Sequence, residues 1–202
     1  MKVLQVINSL GTGGAEKLLI ESIPIYRRKK IKMDLLVLNG TEHPFLKLLK
    51  KNSDCKVISL GKGSVYNPFN IIKLIPIIKQ YSIVHVHLFP AQYWVVIAKL
   101  ISFSKVRLIF TEHCTTNRRV ENVLFSIINK YFYKFYDKTI CISKEIQSFY
   151  KSYTNLKGEK FPIIENGINL KFMQDAKTIA KNKINHGLDD LDKLIIQVSG
   201  FR

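Results

Sequence analysis

The chain has 202 residues, 47% of them hydrophobic and 23% charged, a balance that excludes disorder and leaves room for one well-filled domain or a domain plus the start of another. Lysine and arginine number 32 against 15 acidic residues, a formal charge of +17, so an acidic-surface partner is favoured and a neutral one is not. Cys55, Cys114 and Cys141 are far apart and form no Cys-x-x-Cys pair, which excludes a disulfide framework or zinc knuckle and fits a reducing, cytoplasmic setting.

Residues 3–7 are predicted as a first strand, too short an apolar run for a signal peptide. It leads into Gly11-Thr12-Gly13-Gly14 and the helix formers Ala15-Glu16-Lys17. Glycines let a ligand approach the backbone, and a helix start offers unpaired N–H groups and a positive dipole end. The loop therefore reads as an anion site for a diphosphate or carboxylate, or as a tight turn with no ligand. It matches neither the Gly-x-Gly-x-x-Gly spacing of dinucleotide binders nor a Walker loop. Helical periodicity follows through Leu18, Leu19, Ser22 and Ile23.

A second strand at 35–38 runs into Asn39-Gly40-Thr41, a turn. No acidic residue stands there to hold a ribose, which counts against a nicotinamide enzyme. A third strand is predicted at 56–60, then a helix from near Pro68 that Pro76 kinks or ends. The fourth, 83–87, carries His85 and His87 on one side. No third ligand has motif spacing for zinc, so His85 reads as structural and His87, nearer the strand end, as facing a cleft. The apolar run at 93–103 contains Lys99 and is too short to span a bilayer.

The fifth strand, 106–111, opens onto Glu112-His113-Cys114-Thr115-Thr116-Asn117-Arg118-Arg119. That density of hydrogen-bonding groups suits recognition of a sugar or phosphate; the plainer reading is a helix cap at Asn117 with a solvated basic turn. A stripe of Val120, Val123, Leu124, Ile127, Ile128, Tyr131, Phe132, Phe135 and Tyr136 predicts one long helix with a buried face. Strands at 139–142 and 161–164 follow, the latter ending in Glu165-Asn166-Gly167. Beyond a polar stretch, 194–198 reads as a fresh strand. The boundary is placed near residue 170, giving a domain over 1–170 and an interdomain segment with the start of a cut second domain over 171–202. Continuous apolar strands alternating with helices imply an α/β fold with a doubly wound parallel sheet, covered on both faces. Ligands of such sheets bind beyond the carboxyl ends of the strands.

Four segments, in order and in register, resemble the N-terminal domain of family 4 glycosyltransferases: Gly13-Gly14-Ala15-Glu16, Thr111-Glu112-His113, Cys141-Ile142-Ser143 after Asp137, and Ile164-Glu165-Asn166-Gly167-Ile168. The run from Thr111 to Arg119 is similar to that of capsule and cell-surface polysaccharide members. The resemblance implies a GT-B fold, two Rossmann-like domains facing across a cleft, and retaining transfer from a nucleotide-sugar to a lipid-linked or polysaccharide acceptor, with no metal or other cofactor. It assigns His113 to the reacting groups, and Gly13, Gly14, Asn166 and Gly167 to the donor. Arg202 takes the place of the phosphate-binding arginine only with a shift against the family's Gly-Arg strand end. His87, Glu112, Thr115, Asn117 and Arg118 become substrate contacts. The family's paired glutamates belong to the second domain, so this portion alone is expected to be inactive. The alternative is a non-catalytic Rossmann-like module that binds a nucleotide or phosphorylated sugar. The basic excess, partly a coding bias shared with the many Ile and Asn residues, fits peripheral contact with the anionic inner face of the membrane. No nucleic-acid module is recognisable.

Overall fold

The computed structural model describes residues 1–114, 118–167, 170 and 174, with the side chains of Arg118, Arg119 and Leu124 left aside. The chain divides into two units, Met1–Gly167 and Ile168–Arg202. The described elements of the first unit alternate. They are β1 (Lys2–Ile7), α1 (Gly14–Arg28), β2 (Lys32–Val37), α2 (Pro44–Asn52), β3 (Val57–Ser59), α3 (Asn70–Ile78) and β4 (Ile83–His87). Then come α4 (Ala91–Ile101), β5 (Arg107–Glu112), α5 (Arg118–Glu121), α6 (Val123–Tyr133), β6 (Lys138–Cys141) and α7 (Lys144–Thr154). All five strand pairings are parallel, in the order β3-β2-β1-β4-β5-β6. This is the doubly wound arrangement expected from unbroken apolar strands.

Side-chain alternation splits the core between the faces of the sheet. On one, Val3 and Ile7 of β1 and Met33, Leu35 and Val37 of β2 pack beneath α1 and α2. On the other, Leu4, Val6, Val84, Val86, Leu108 and Phe110 pack beneath α3, α4 and the tyrosines of α6 and α7. Sheet residues are buried from both sides, which is why their sequence shows no polar alternation.

Three sequence expectations change. The strand at 161–164 is an isolated bridge, Cys141 to Ile163. Pro162 has no N–H to donate and serves only through its carbonyl, 2.9 Å from the Cys141 amide. The helix through Pro76 starts at Asn70 and continues to Ile78. The long helix is broken in two at Asn122, whose side chain accepts from the Phe125 amide and starts α6 afresh. Its apolar stripe is a core face only in part: Phe132 and Phe135 pack against the core and Tyr136 is buried, but Val123, Ile127, Ile128 and Tyr131 are exposed, while Asn129 and Tyr133 turn inward. The predicted strand at 194–198 lies outside the described residues. Among the described residues no helix is long and apolar enough to cross a membrane.

Candidate functional site

From β1 the chain passes through α1 to β2 on one side, and from β4 through α4 to β5 on the other. Connections that diverge in this way open a crevice at the carboxyl ends of β1 and β4. The loops bearing Gly13 and His113 leave this same edge, from β1 and β5 with β4 between them, about 10 Å apart at ordinary strand spacing.

Gly13 is the N-cap of α1 (φ −88°, ψ 171°) and Gly14 its first residue; both are exposed. The Glu16 carboxylate lies where a Gly13 side chain would begin, but it is the mobile end of a long side chain, so neither close approach nor backbone angle requires glycine here. A glycine cap supplies no side-chain oxygen to the first amides, and the dipole makes this end attractive to an anion. Next to it, Asn8 spans the crevice floor. Its Nδ2 donates to the Phe89 carbonyl (2.7 Å) and its Oδ1 accepts from the Ala91 amide (3.3 Å).

Three imidazoles line the adjoining strand ends. His85 Nε2 pairs with Thr111 Oγ1 (2.7 Å) and His87 Nε2 with Gln5 Oε1 (2.9 Å). The His85 and His87 rings are 4.3 Å apart, those of His87 and His113 6.0 Å. Burial disfavours the charged form of each. It pushes His85 down to about 3, with the neighbouring His113 adding to the effect, and lowers His87 and His113 as well. At neutral pH all three are uncharged. His87 Nδ1 and His113 Nε2 are buried with no hydrogen-bond partner among the described residues, an arrangement that invites a water or a ligand hydroxyl.

Glu112 is only 4% exposed. Its carboxylate accepts from the Tyr133 hydroxyl and the His113 amide, while the Tyr150 hydroxyl donates to the Cys114 carbonyl (3.2 Å). Helices α6 and α7 thus hold the loop on either side of His113. Cys55 and Cys141 are buried thiols, pushed up by desolvation to about 11 and about 12, which makes them poor nucleophiles. No group of three or more potential metal ligands is present among the described residues.

Of the residues singled out from sequence, Gly13, Gly14, His87, Glu112 and His113 share this edge. The side chains of His87 and Glu112 are turned inward, onto Gln5 and Tyr133. Asn166 and Gly167 are exposed, just past the Ile164 amide that closes on the Cys141 carbonyl. Thr115, Asn117 and Arg202 lie outside the described residues; Arg118 begins α5, its side chain undescribed. Gln5, Asn8, Tyr133 and Tyr150 escaped the sequence reading. Only Gln5 left a signal there, as a polar residue inside an apolar strand.

Comparison with curated protein sequences returned no match. Among solved structures, HepE of Anabaena, crystallised with UDP and glucose, is similar with TM-score 0.68 and 18% identity, over 85% of this chain and 46% of that one. A glycosyltransferase of Rickettsia africae gives 0.66 and 21%, over 91% and 47%. The lipopolysaccharide outer core galactosyltransferase WaaB gives 0.61 and 13%, over 83% and 46%. At such identities the likeness is one of fold, and the chain spans less than half the length of these proteins. The sequence profile of Glycosyltransferase Family 4 matches residues 12–172, which takes in the glycine loop, the three histidines and the Asn166-Gly167 segment. The chain is therefore a member of glycosyltransferase family 4.

Proposed function

We propose that the full-length protein is a retaining glycosyltransferase that moves a sugar from a nucleotide diphosphate donor to a lipid-linked or polysaccharide acceptor in cell-surface glycan synthesis. It would work against the anionic inner face of the membrane. The observation that carries this reading is the convergence of the α1 N-terminus and His113 on one crevice in a chain of this family. The UDP and glucose of the Anabaena HepE structure support a uridine diphosphate sugar as the donor class.

In this reading Gly13 and Gly14 face the diphosphate. As the nucleotide departs, negative charge grows on its phosphate oxygens. Fixed amides and a helix dipole aimed there stabilise the transition state more than the ground state. His113, neutral at pH 7 because it is buried, orients a hydroxyl of the transferred sugar through its unpartnered Nε2. The donor's ribose and base, and Arg202 if it meets a phosphate, belong to the second domain, so activity is a property of the whole protein. No metal enters this scheme.

Replacing His113 by Ala in the full-length protein, assayed with UDP-sugars and a lipid-linked acceptor, should lower kcat by about a hundredfold with an unchanged melting temperature. Undiminished turnover would refute the assignment. Product anomeric configuration, read by NMR, tests retention independently.

A further inference from the structure

Away from the crevice, at the opposite edge of the sheet, five lysines wall a pocket of about 320 Å³: Lys99, Lys134, Lys138, Lys157 and Lys160. They come from the C-terminal end of α4, the end of α6, the start of β6 and the turn after α7. Two carboxylates also line it, Asp137 and Glu159, which leaves a clear positive excess. Asp137 approaches Lys99 at only 4.0 Å and spends one oxygen on the Leu108 amide. Lys160 donates to the Lys134 carbonyl and Lys138 to the Glu159 carbonyl, both at 2.7 Å. An ammonium has three donors, so each keeps capacity for a further acceptor. Burial weakens the Lys160 ammonium, and an arriving anion would relieve that penalty.

The surroundings narrow the class of anion. Exposed apolar side chains flank the pocket. Ile127 and Tyr131 lie on the outward face of α6, which ends at the pocket. Tyr131 packs edge-on against Phe135 of the pocket wall (5.1 Å), with the Lys134 ammonium 5.6 Å from its ring. A pocket for a soluble phosphate needs no greasy rim. Lysines for phosphate groups beside aromatic and aliphatic side chains for the acyl boundary are the combination an interfacial surface requires.

We propose that this lysine pocket and the outward face of α6 form the surface that seats the protein on an acidic phospholipid bilayer, with headgroup phosphates in the pocket. The proposal deepens the membrane part of the function above and rests on it. α6 starts just beyond the His113 loop and ends at the pocket, so a bilayer lying along this helix runs from the crevice to the lysines. A lipid-borne acceptor would then reach the crevice sideways.

The test uses full-length protein and co-sedimentation with phosphatidylglycerol-containing or pure phosphatidylcholine vesicles. Wild type should bind the acidic vesicles and release with salt. The triple variant Lys134→Gln, Lys138→Gln, Lys157→Gln should bind at least tenfold more weakly. A control of equal charge, Lys29→Gln, Lys47→Gln, Lys51→Gln, alters exposed lysines on the α1–α2 side and should stay within twofold of wild type. Ile127→Ser with Tyr131→Ser should lower the binding that survives moderate salt. Equal losses in the pocket and control triples would overturn the proposal in favour of unspecific charge. Loss of inorganic-phosphate binding with vesicle binding intact would overturn it in favour of a soluble anion, and absence of wild-type vesicle binding would overturn it outright. Transfer to a water-soluble acceptor, measured on the same preparations, reports on the glycosyltransferase reading by itself.

Discussion

At the end of β5 a carboxylate, a phenol and an imidazole meet, and their roles follow from which side of the strand each takes. Glu112 is turned inward and meets Tyr133, so its charge is spent holding the loop in which His113 sits. Tyr133→Phe removes a hydroxyl that hydrogen-bonds a buried charged acceptor, and should cost about 1–3 kcal/mol of stability, read as a lowered urea midpoint at constant m-value. A change below about 0.5 kcal/mol would mean the carboxylate finds a replacement donor. In the sequence, Glu112 and His113 stood out as neighbouring polar residues at a strand end, and nothing distinguished a ligand-facing group from a buried support. The distinction depends on Tyr133, 21 positions away, and on Tyr150, which fixes the Cys114 carbonyl from 36 positions away. Contacts of that range leave no trace in local patterning. His85 and His87 were easier, because two residues two apart on a strand share a side whatever the fold.

Helix α6 shows where periodicity informs and where it misleads. A stripe at helical spacing identifies a helix, but it does not say whether protein or something else covers the stripe. Among the described residues of α6, Asn129 and Tyr133 are the buried ones, and both carry a polar group that a hydropathy reading discounts. Asn122, an unremarked polar residue within the pattern, decides where the helix begins. Asn122→Ala should destabilise the protein by about 1 kcal/mol, whereas Asn122→Asp, which restores an acceptor and adds a charge favoured at a helix start, should recover most of that loss. Equal stability of the Ala and Asp variants in urea would show that the cap at the Phe125 amide is dispensable. Most strands were legible to within a residue or so because they are buried on both faces; β2 starts three residues earlier than its apolar run, and β3 is short and partly exposed. The exception, at 161–164, fails where a proline removes the donor a ladder needs.

For the molecule as a whole, the buried histidines and the basic excess act together in acid. His85 and His87 are neutral in the fold, with His85 pushed down to about 3 and His87 lowered too, while unfolded histidine titrates near 6.5. Between those values the unfolded chain binds more protons than the folded one, so stability is complete above about pH 6.5 and falls as the pH drops through the window. Each histidine contributes a slope approaching about 1.4 kcal/mol per pH unit. Self-repulsion adds to this as the carboxylates protonate, because 32 basic residues already outnumber 15 acidic ones. Melting temperatures should therefore decline steadily from pH 7 to pH 4.5, and the His87→Asn variant should show a shallower decline. A flat wild-type profile between pH 6.5 and 5 would contradict neutral burial.

The amide of Asn8 has one further implication. By engaging the Phe89 carbonyl and the Ala91 amide together, it ties the exit of β1 to the turn after β4 through the protein's own hydrogen bonds. On the proposed reading, a donor entering there would meet a base already assembled, and little of its affinity would be lost to ordering backbone. Adaptation to different donors is then left to the side chains and loops around the opening, while its foundation stays the same.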